Sequence, residues 1–115
     1  MTHTGSCHCG RIAFEVDGDI DGALDCNCSI CRRRGSLLWF VPADRFRLLT
    51  PATNASTYTF NQHHIQHRFC ASCGIHPYGE GTDPKGQRMT AINLRCVDGV
   101  DLKAVPRHEF DGAAL

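Results

Sequence analysis

Apolar and polar positions alternate along this chain in short stretches. Ile12, Phe14 and Val16 take turns with Ala13 and Glu15, the period of a half-buried strand. Asp17-Gly18 and Asp21-Gly22 then mark turns, so a first strand is predicted right after the first cysteine pair. Leu37-Leu38-Trp39-Phe40-Val41 runs apolar until Pro42, and Phe46-Arg47-Leu48-Leu49 until Pro51, and both read as strands. Residues 56–60, the His67-Arg68-Phe69 approach to Cys70, and residues 89–94 have similar lengths and β-branched or aromatic content. Only residues 29–34 predict helix, one or two turns with Ser29 as cap and Gly35 as stop. Many short strands and almost no helical periodicity predict a mainly β single domain spanning residues 1–115. Residues 79–86 read as an exposed loop able to border a site.

Composition changes this picture in two ways. The 42% hydrophobic content includes eight cysteines, so the conventional apolar core is smaller than the figure implies and bound metal is expected to make up the shortfall. Twelve Lys and Arg balance twelve Asp and Glu, which argues against a broad basic face for nucleic acid. Residues 1–6 hold no apolar signal region, and no run approaches the ~18–20 apolar residues of a spanning helix. The expectation is a cytoplasmic protein without membrane attachment, its oligomeric state left open. In a reducing cytosol, clustered cysteines are metal ligands before they are disulfides.

Seven of the eight cysteines fall in three clusters: Cys7 and Cys9; Cys26, Cys28 and Cys31; Cys70 and Cys73. A closed tetrahedral zinc site uses four ligands, so seven divide into one closed site and one three-cysteine site with a vacant position. Cys-x-Cys on an extended segment puts both thiols on one face, and Cys-x-x-Cys round a tight turn also brings them together. One partition joins Cys7, Cys9, Cys70 and Cys73, leaving Cys26, Cys28 and Cys31 around a second zinc. Another joins Cys28, Cys31, Cys70 and Cys73 and strands the rest. Keeping three near-neighbour thiols together favours the first without excluding the second.

The segments Ser6-Cys7-His8-Cys9-Gly10, Cys26-Asn27-Cys28-Ser29-Ile30-Cys31-Arg32 and Phe69-Cys70-Ala71-Ser72-Cys73-Gly74, with Ile92-Asn93-Leu94-Arg95-Cys96-Val97-Asp98-Gly99-Val100-Asp101 and Phe110-Asp111-Gly112 downstream, closely resemble the glutathione-dependent formaldehyde-activating enzyme family, also called the centromere protein V/GFA domain. The resemblance spans essentially the whole chain. It implies a β-tent fold with a structural zinc on Cys7, Cys9, Cys70 and Cys73 and a reactive zinc on Cys26, Cys28 and Cys31. It also implies a carbon–sulfur lyase-type reaction joining the thiol of glutathione to formaldehyde. Zinc suits such chemistry, since it holds a thiol as thiolate or polarises a carbonyl.

Other residues are weighed against plainer roles. Arg32, Arg33 and Arg34 are placed to bind the carboxylates of glutathione or to form a solvated basic turn. Cys96 reads as a buried core residue. His8, between two ligands, should point away from their metal. His63, His64 and His67 read as an exposed polar loop. His76 is either a proton donor near the reactive ion or a ring packed beside Pro77 and Tyr78. Trp39 and Phe40 either wall a pocket or fill the core. Two rival functions share the same cysteines: a non-catalytic zinc module whose second ion is completed by a ligand such as His76, and a redox- or metal-responsive protein whose second site loses zinc to a disulfide.

Overall fold

The computed structural model describes residues 1–60 and 64–114. Among them the strands are β1 (Thr2–Ser6), β2 (Ala13–Asp17), β3 (Ala23–Cys26), β4 (Leu38–Pro42), β5 (Phe46–Leu48), β6 (Ala55–Tyr58), β7 (Gln66–Cys70), β8 (Tyr78–Thr82), β9 (Arg88–Asn93) and β10 (Arg107–Phe110), with one short helix, α1 (Cys31–Arg34), between β3 and β4. Three strands form a small sheet in the order β1-β2-β5, and seven form a larger one in the order β10-β3-β4-β9-β8-β7-β6. The pairing is antiparallel throughout both sheets except for β10 beside β3, which is parallel.

Alternation gives the larger sheet two working faces. On β4, Trp39 and Val41 are buried in the core while Phe40 is exposed; on β9, Thr90 and Ile92 are buried between the half-buried Met89 and Ala91. The ladder pairs Trp39 with Ile92 and Ile92 with Tyr78, and paired residues share a face, so one row lies against the core. The neighbouring row runs Phe40, Ala91, Gly79, His67, Tyr58 and faces the other way. The core row packs against Phe14 and Val16 of the small sheet, which have no exposed surface.

The two sheets are joined by aromatics. Phe46 on β5 stands 5.3 Å from Phe14 and 4.7 Å from Tyr78, centroid to centroid, within the range for favourable ring pairs. Arg47, on the outer face of the small sheet, donates to Glu15 at 2.7 Å and to both carboxylate oxygens of Asp17 at 2.8 and 3.0 Å. Its solvent exposure keeps the energetic value of this cross-strand clamp modest.

Several expectations change. β1 precedes the first cysteine pair, and its Thr-His-Thr-Gly-Ser sequence carries no apolar alternation; it exists because β2 offers it a full five-residue register. β3 and β10 are short and carry little apolar patterning, and each is held by its neighbour in the sheet. Residues 78–82 are strand β8 inside the sheet, with Gly79 buried, and only the turn from Asp83 to Gln87 is loop-like. The glycines of β8 mimic loop composition, yet the strand is paired on both edges, with β7 and β9. Helix α1 stops at Gly35 as expected, in the left-handed conformation at φ 69°, but Ile30 rather than Ser29 occupies the N-cap, with no side-chain capping bond.

Gly5 on β1 sits pressed between the ring of Phe14, its partner on β2, and the turn after β9. A Cβ there would lie 2.5 Å from the Cys96 carbonyl oxygen and 2.5 Å from the Phe14 ring. Overpacking of this kind costs about 1–3 kcal/mol. Gly5→Ala is therefore expected to lower unfolding stability by that amount in urea denaturation, whereas Ser6→Ala should be close to neutral.

Candidate metal centre and adjoining cavity

Cys7 follows β1, Cys70 ends β7, and Cys9 and Cys73 lie in the turns beyond them. Their four sulfurs lie within 4.8 Å of one another, with Cys7 to Cys9 at 3.8 Å and Cys9 to Cys70 at 3.6 Å. Sulfurs at ~2.3 Å from a tetrahedral zinc stand about 3.8 Å apart, so the spacing fits a bound ion. The backbone N–H of Ile12 donates to Cys7 Sγ at 3.4 Å and that of Cys73 to Cys70 Sγ at 3.5 Å, and such donors favour the thiolate. N–H groups of Ile75 and Cys9 likewise pull the Cys73 thiol down to about 6.

Cys26, Cys28 and Cys31 form the second set, again with sulfurs within 4.8 Å of one another. Cys26 ends β3 and Cys31 opens α1. The helical turn swings Cys31 back towards the other two, and the Cys28 N–H donates to Cys26 Sγ at 3.4 Å. Burial and the neighbouring Cys28 push the Cys31 thiol up to about 12. Burial also works against ionisation of Cys28, but the N–H and thiol of Cys31 outweigh it and hold Cys28 below its usual range. Three sulfurs this close cannot all be thiolates without a cation among them. Both groups could thus hold a metal ion, and they divide the cysteines as in the first of the two partitions. Among the described residues no histidine or carboxylate joins either group, so His76 does not complete the second one.

The C-terminal segment closes over this second set. Asn27, between two of its cysteines, donates to Asp111 at 3.0 Å, accepts from the Ala113 N–H at 3.0 Å, and gives its own N–H to the Phe110 carbonyl at 3.2 Å. Gly112 is pressed so closely on the site that a Cβ there would lie 2.5 Å from Cys26 Sγ. Nothing in the sequence pattern assigns this segment a place beside the cysteines. The nearest signal is the Phe-Asp-Gly triplet itself.

Beside the three sulfurs lies a cavity of about 540 Å³, lined by Cys26, Cys28 and Cys31 and by the outward row Phe40, Ala91, Gly79 and His67. Phe40 is therefore a cavity wall, while Trp39 belongs to the core. The three arginines separate: Arg32 is exposed, Arg33 donates to the Ser29 carbonyl at 2.7 Å, and Arg34 alone lines the cavity. Arg34 donates to His67 Nδ1 at 3.1 Å. A guanidinium can only donate, so His67 accepts at Nδ1 and carries its proton on Nε2.

His67 is not in an exposed loop. It is buried on β7, while His64 is exposed and His63 lies outside the described residues. His76, also buried, donates from Nδ1 to the Arg68 carbonyl at 2.8 Å, which leaves Nε2 as an acceptor. Burial, followed by the charge of Arg34, lowers both imidazoles to about 4. At neutral pH His76 is thus an acceptor and not the proton donor its position in the sequence allowed. His8 is exposed. Cys96 packs against the core from the turn after β9, its thiol raised to about 11 by burial and by the nearby Cys7 and Cys73.

Residues 2–110 match the family model of the glutathione-dependent formaldehyde-activating enzyme. The chain belongs to this family. A crystal structure of a Rhodobacter sphaeroides protein is similar to it, with a TM-score of 0.78 at 29% sequence identity, covering 91% of this chain and 99% of that one. For a member of the glutathione-dependent formaldehyde-activating family, the arrangement of two cysteine groups, one beside a cavity, is the part of the structure that bears on chemistry. No helix among the described residues is long and apolar enough to cross a membrane.

Two measurements follow from this geometry. Gly112→Ala must displace Cys26 Sγ or the C-terminal segment, so it is expected to weaken metal retention at the three-sulfur set about 10–100-fold, the scale of other supporting-residue losses at metal sites. Retention by the four-sulfur set should stay as it was, as read by chelator titration. The second measurement concerns acid. Because the folded-state values of His67 and His76 lie below the unfolded ~6.5, the unfolded chain binds more protons between the two values, and stability falls as pH drops from about 6.5 through about 4. His67→Gln should flatten that slope in pH-dependent melts at matched metal content.

Proposed function

We propose that this chain is a zinc-dependent carbon–sulfur lyase-type enzyme that interconverts glutathione, or a similar low-molecular-weight thiol, and formaldehyde or another small aldehyde with their S-hydroxyalkyl adduct. The observation that carries this reading is the inequality of the two sulfur sets: the group of four lies away from the cavity, and the group of three lines it. Cys7, Cys9, Cys70 and Cys73 would hold a structural zinc, and Cys26, Cys28 and Cys31 the reactive one, in a cytoplasmic protein. Held by Cys26, Cys28 and Cys31, a zinc ion would supply the chemistry that favours a thiolate or polarises a carbonyl.

The residues of the chain supply the rest. Arg34, the one guanidinium among the described residues lining the cavity, is offered to a substrate carboxylate. His76, neutral and with Nε2 as acceptor, can receive a hydrogen bond from the thiol or from the adduct hydroxyl. In the forward direction the sulfur–carbon bond forms, the carbonyl π bond opens, and the thiol proton ends on the former carbonyl oxygen. No oxidant or reductant is needed. The apolar walls exclude water and strengthen each of these contacts.

Two zinc ions of unequal affinity are expected per chain, and mild chelation should remove one first. Cys28→Ser should lose that ion and adduct formation together while keeping its fold. Cys70→Ser should fail to fold, since a structural zinc contributes ~10–16 kcal/mol against a whole-domain stability of ~5–15 kcal/mol. Metal analysis and circular dichroism check the ranking, and the reverse order would overturn the division of roles. A second ion with four protein ligands and no exchangeable position would favour a non-catalytic zinc module.

A further inference from the structure

The cavity is walled by apolar side chains to a degree that neither formaldehyde nor glutathione requires. Leu24, Leu38, Phe40, Met89, Ile65 and Phe110 all line it. Phe40, Ile65 and Phe110 are 48%, 52% and 42% exposed, so three large apolar side chains meet at one mouth. Exposed apolar surface gathered in a concavity marks a binding site. Along its floor the row Phe40, Ala91, Gly79, His67 places the two smallest side chains in the middle, which makes a trough. Its volume of about 540 Å³ lies in the ~300–1,000 Å³ range of pockets for mid-sized organic ligands. Formaldehyde, with two heavy atoms, is close in size to a water molecule, whose share of the liquid is ~30 Å³.

The polar provision is sparse by comparison. Among the described lining residues Arg34 is the one Lys or Arg. Glu80 is committed to Arg68 and Arg88 at 3.4 and 3.6 Å, and Asp83 to the N–H groups of Lys85 and Gln87 at 2.9 and 2.8 Å. Glutathione carries two carboxylates and an ammonium, and most of that charge must therefore stay in solvent at the mouth. One buried polar group stands beside the cavity. Ser36 lines the cavity and is 3% exposed, and its hydroxyl has no hydrogen-bond partner among the described residues. A buried hydroxyl left so is costly unless a ligand atom meets it.

Resting on the lyase reading above, we infer that the aldehyde of this site is not the one-carbon compound but an aldehyde bearing an apolar chain or ring. The chain fills the trough, the oxygen meets Ser36, and the thiol enters from the mouth. The sulfur–carbon bond forms as the carbonyl π bond opens, and the thiol proton passes to the oxygen beside Ser36. The reverse step releases both partners unchanged.

The test has two readouts on the metal-loaded protein. Exchange between free aldehyde and adduct, followed by NMR at fixed glutathione with formaldehyde, propanal, hexanal and benzaldehyde, gives kcat/KM. Calorimetry with S-methyl-, S-propyl- and S-hexylglutathione gives affinity without turnover. Affinity is expected to rise about fourfold per methylene, with kcat/KM in the same order. Phe40→Ser should flatten both series, and Ala91→Leu should shorten the longest chain accepted. Ser36→Ala should lower kcat/KM for aldehydes while leaving the S-alkyl affinities alone, since a thioether has no oxygen to meet it. A flat series with formaldehyde turned over overturns the inference and leaves the lyase reading standing. Turnover of no aldehyde overturns both. A dimer that dissociates on Phe40→Ser, with no S-alkyl preference, makes the rim a contact between copies and overturns the inference.

Discussion

The architecture depends on the convergence of four sulfurs drawn from two sheets. Cys7 leaves the small sheet and Cys70 ends a strand of the large one, yet they reach a common centre. Around it Ile12 and Tyr78 are buried, with Phe46 and Leu48 packed against them. The sulfur cluster and the aromatic packing thus meet at the same seam, and each makes the other local: the Phe14–Phe46–Tyr78 contacts hold the turns in register, and the turns fix where those strands can begin. In a chain of 115 residues, where core burial alone gives a narrow margin, that cooperation is what makes two small sheets one domain.

The second consequence of the sheet geometry is a division of labour across a single layer of backbone. One residue step on β4 separates Trp39 in the core from Phe40 at the cavity, and one on β9 separates Ile92 from Ala91. Stability and ligand contact therefore use alternate positions of the same strands, and a register slip by one residue would exchange them.

Strands with conventional alternation were legible in the sequence. β2, β4, β5, β6, β7 and β9 fall where apolar or aromatic residues cluster, and Gly35 ends α1 as its chemistry demands. β1 and β8 were not legible, because Thr, Ser and Gly become strand there only through neighbours that supply a ladder. The cysteine clusters announced metal chemistry, but spacing left two groupings open, since pairs that chelate locally say nothing about which distant pair completes a shell. The cavity was legible only at Phe40 and in residues 79–86, and its full outline was not, for a related reason. Part of its wall is a row across four strands, Phe40, Ala91, Gly79 and His67, which are scattered in the chain and adjacent only in the folded sheet. His67 shows the error this produces: in sequence it sits in a polar stretch, and in space it is roofed by Arg34 from another element.

The parallel pairing of β10 with β3, and the clasp of Asn27 on residues 110–113, set an order of events during synthesis. The four-sulfur centre has all its ligands once Cys73 has left the ribosome, and the three-sulfur set has its own as early as Cys31. The wall over the latter arrives last, with Gly112. A nascent chain would thus present its three thiols open to solvent, and to any carrier that delivers metal, before the final segment folds across them. The linear order of the elements thus places the three cysteines well ahead of the segment that covers them.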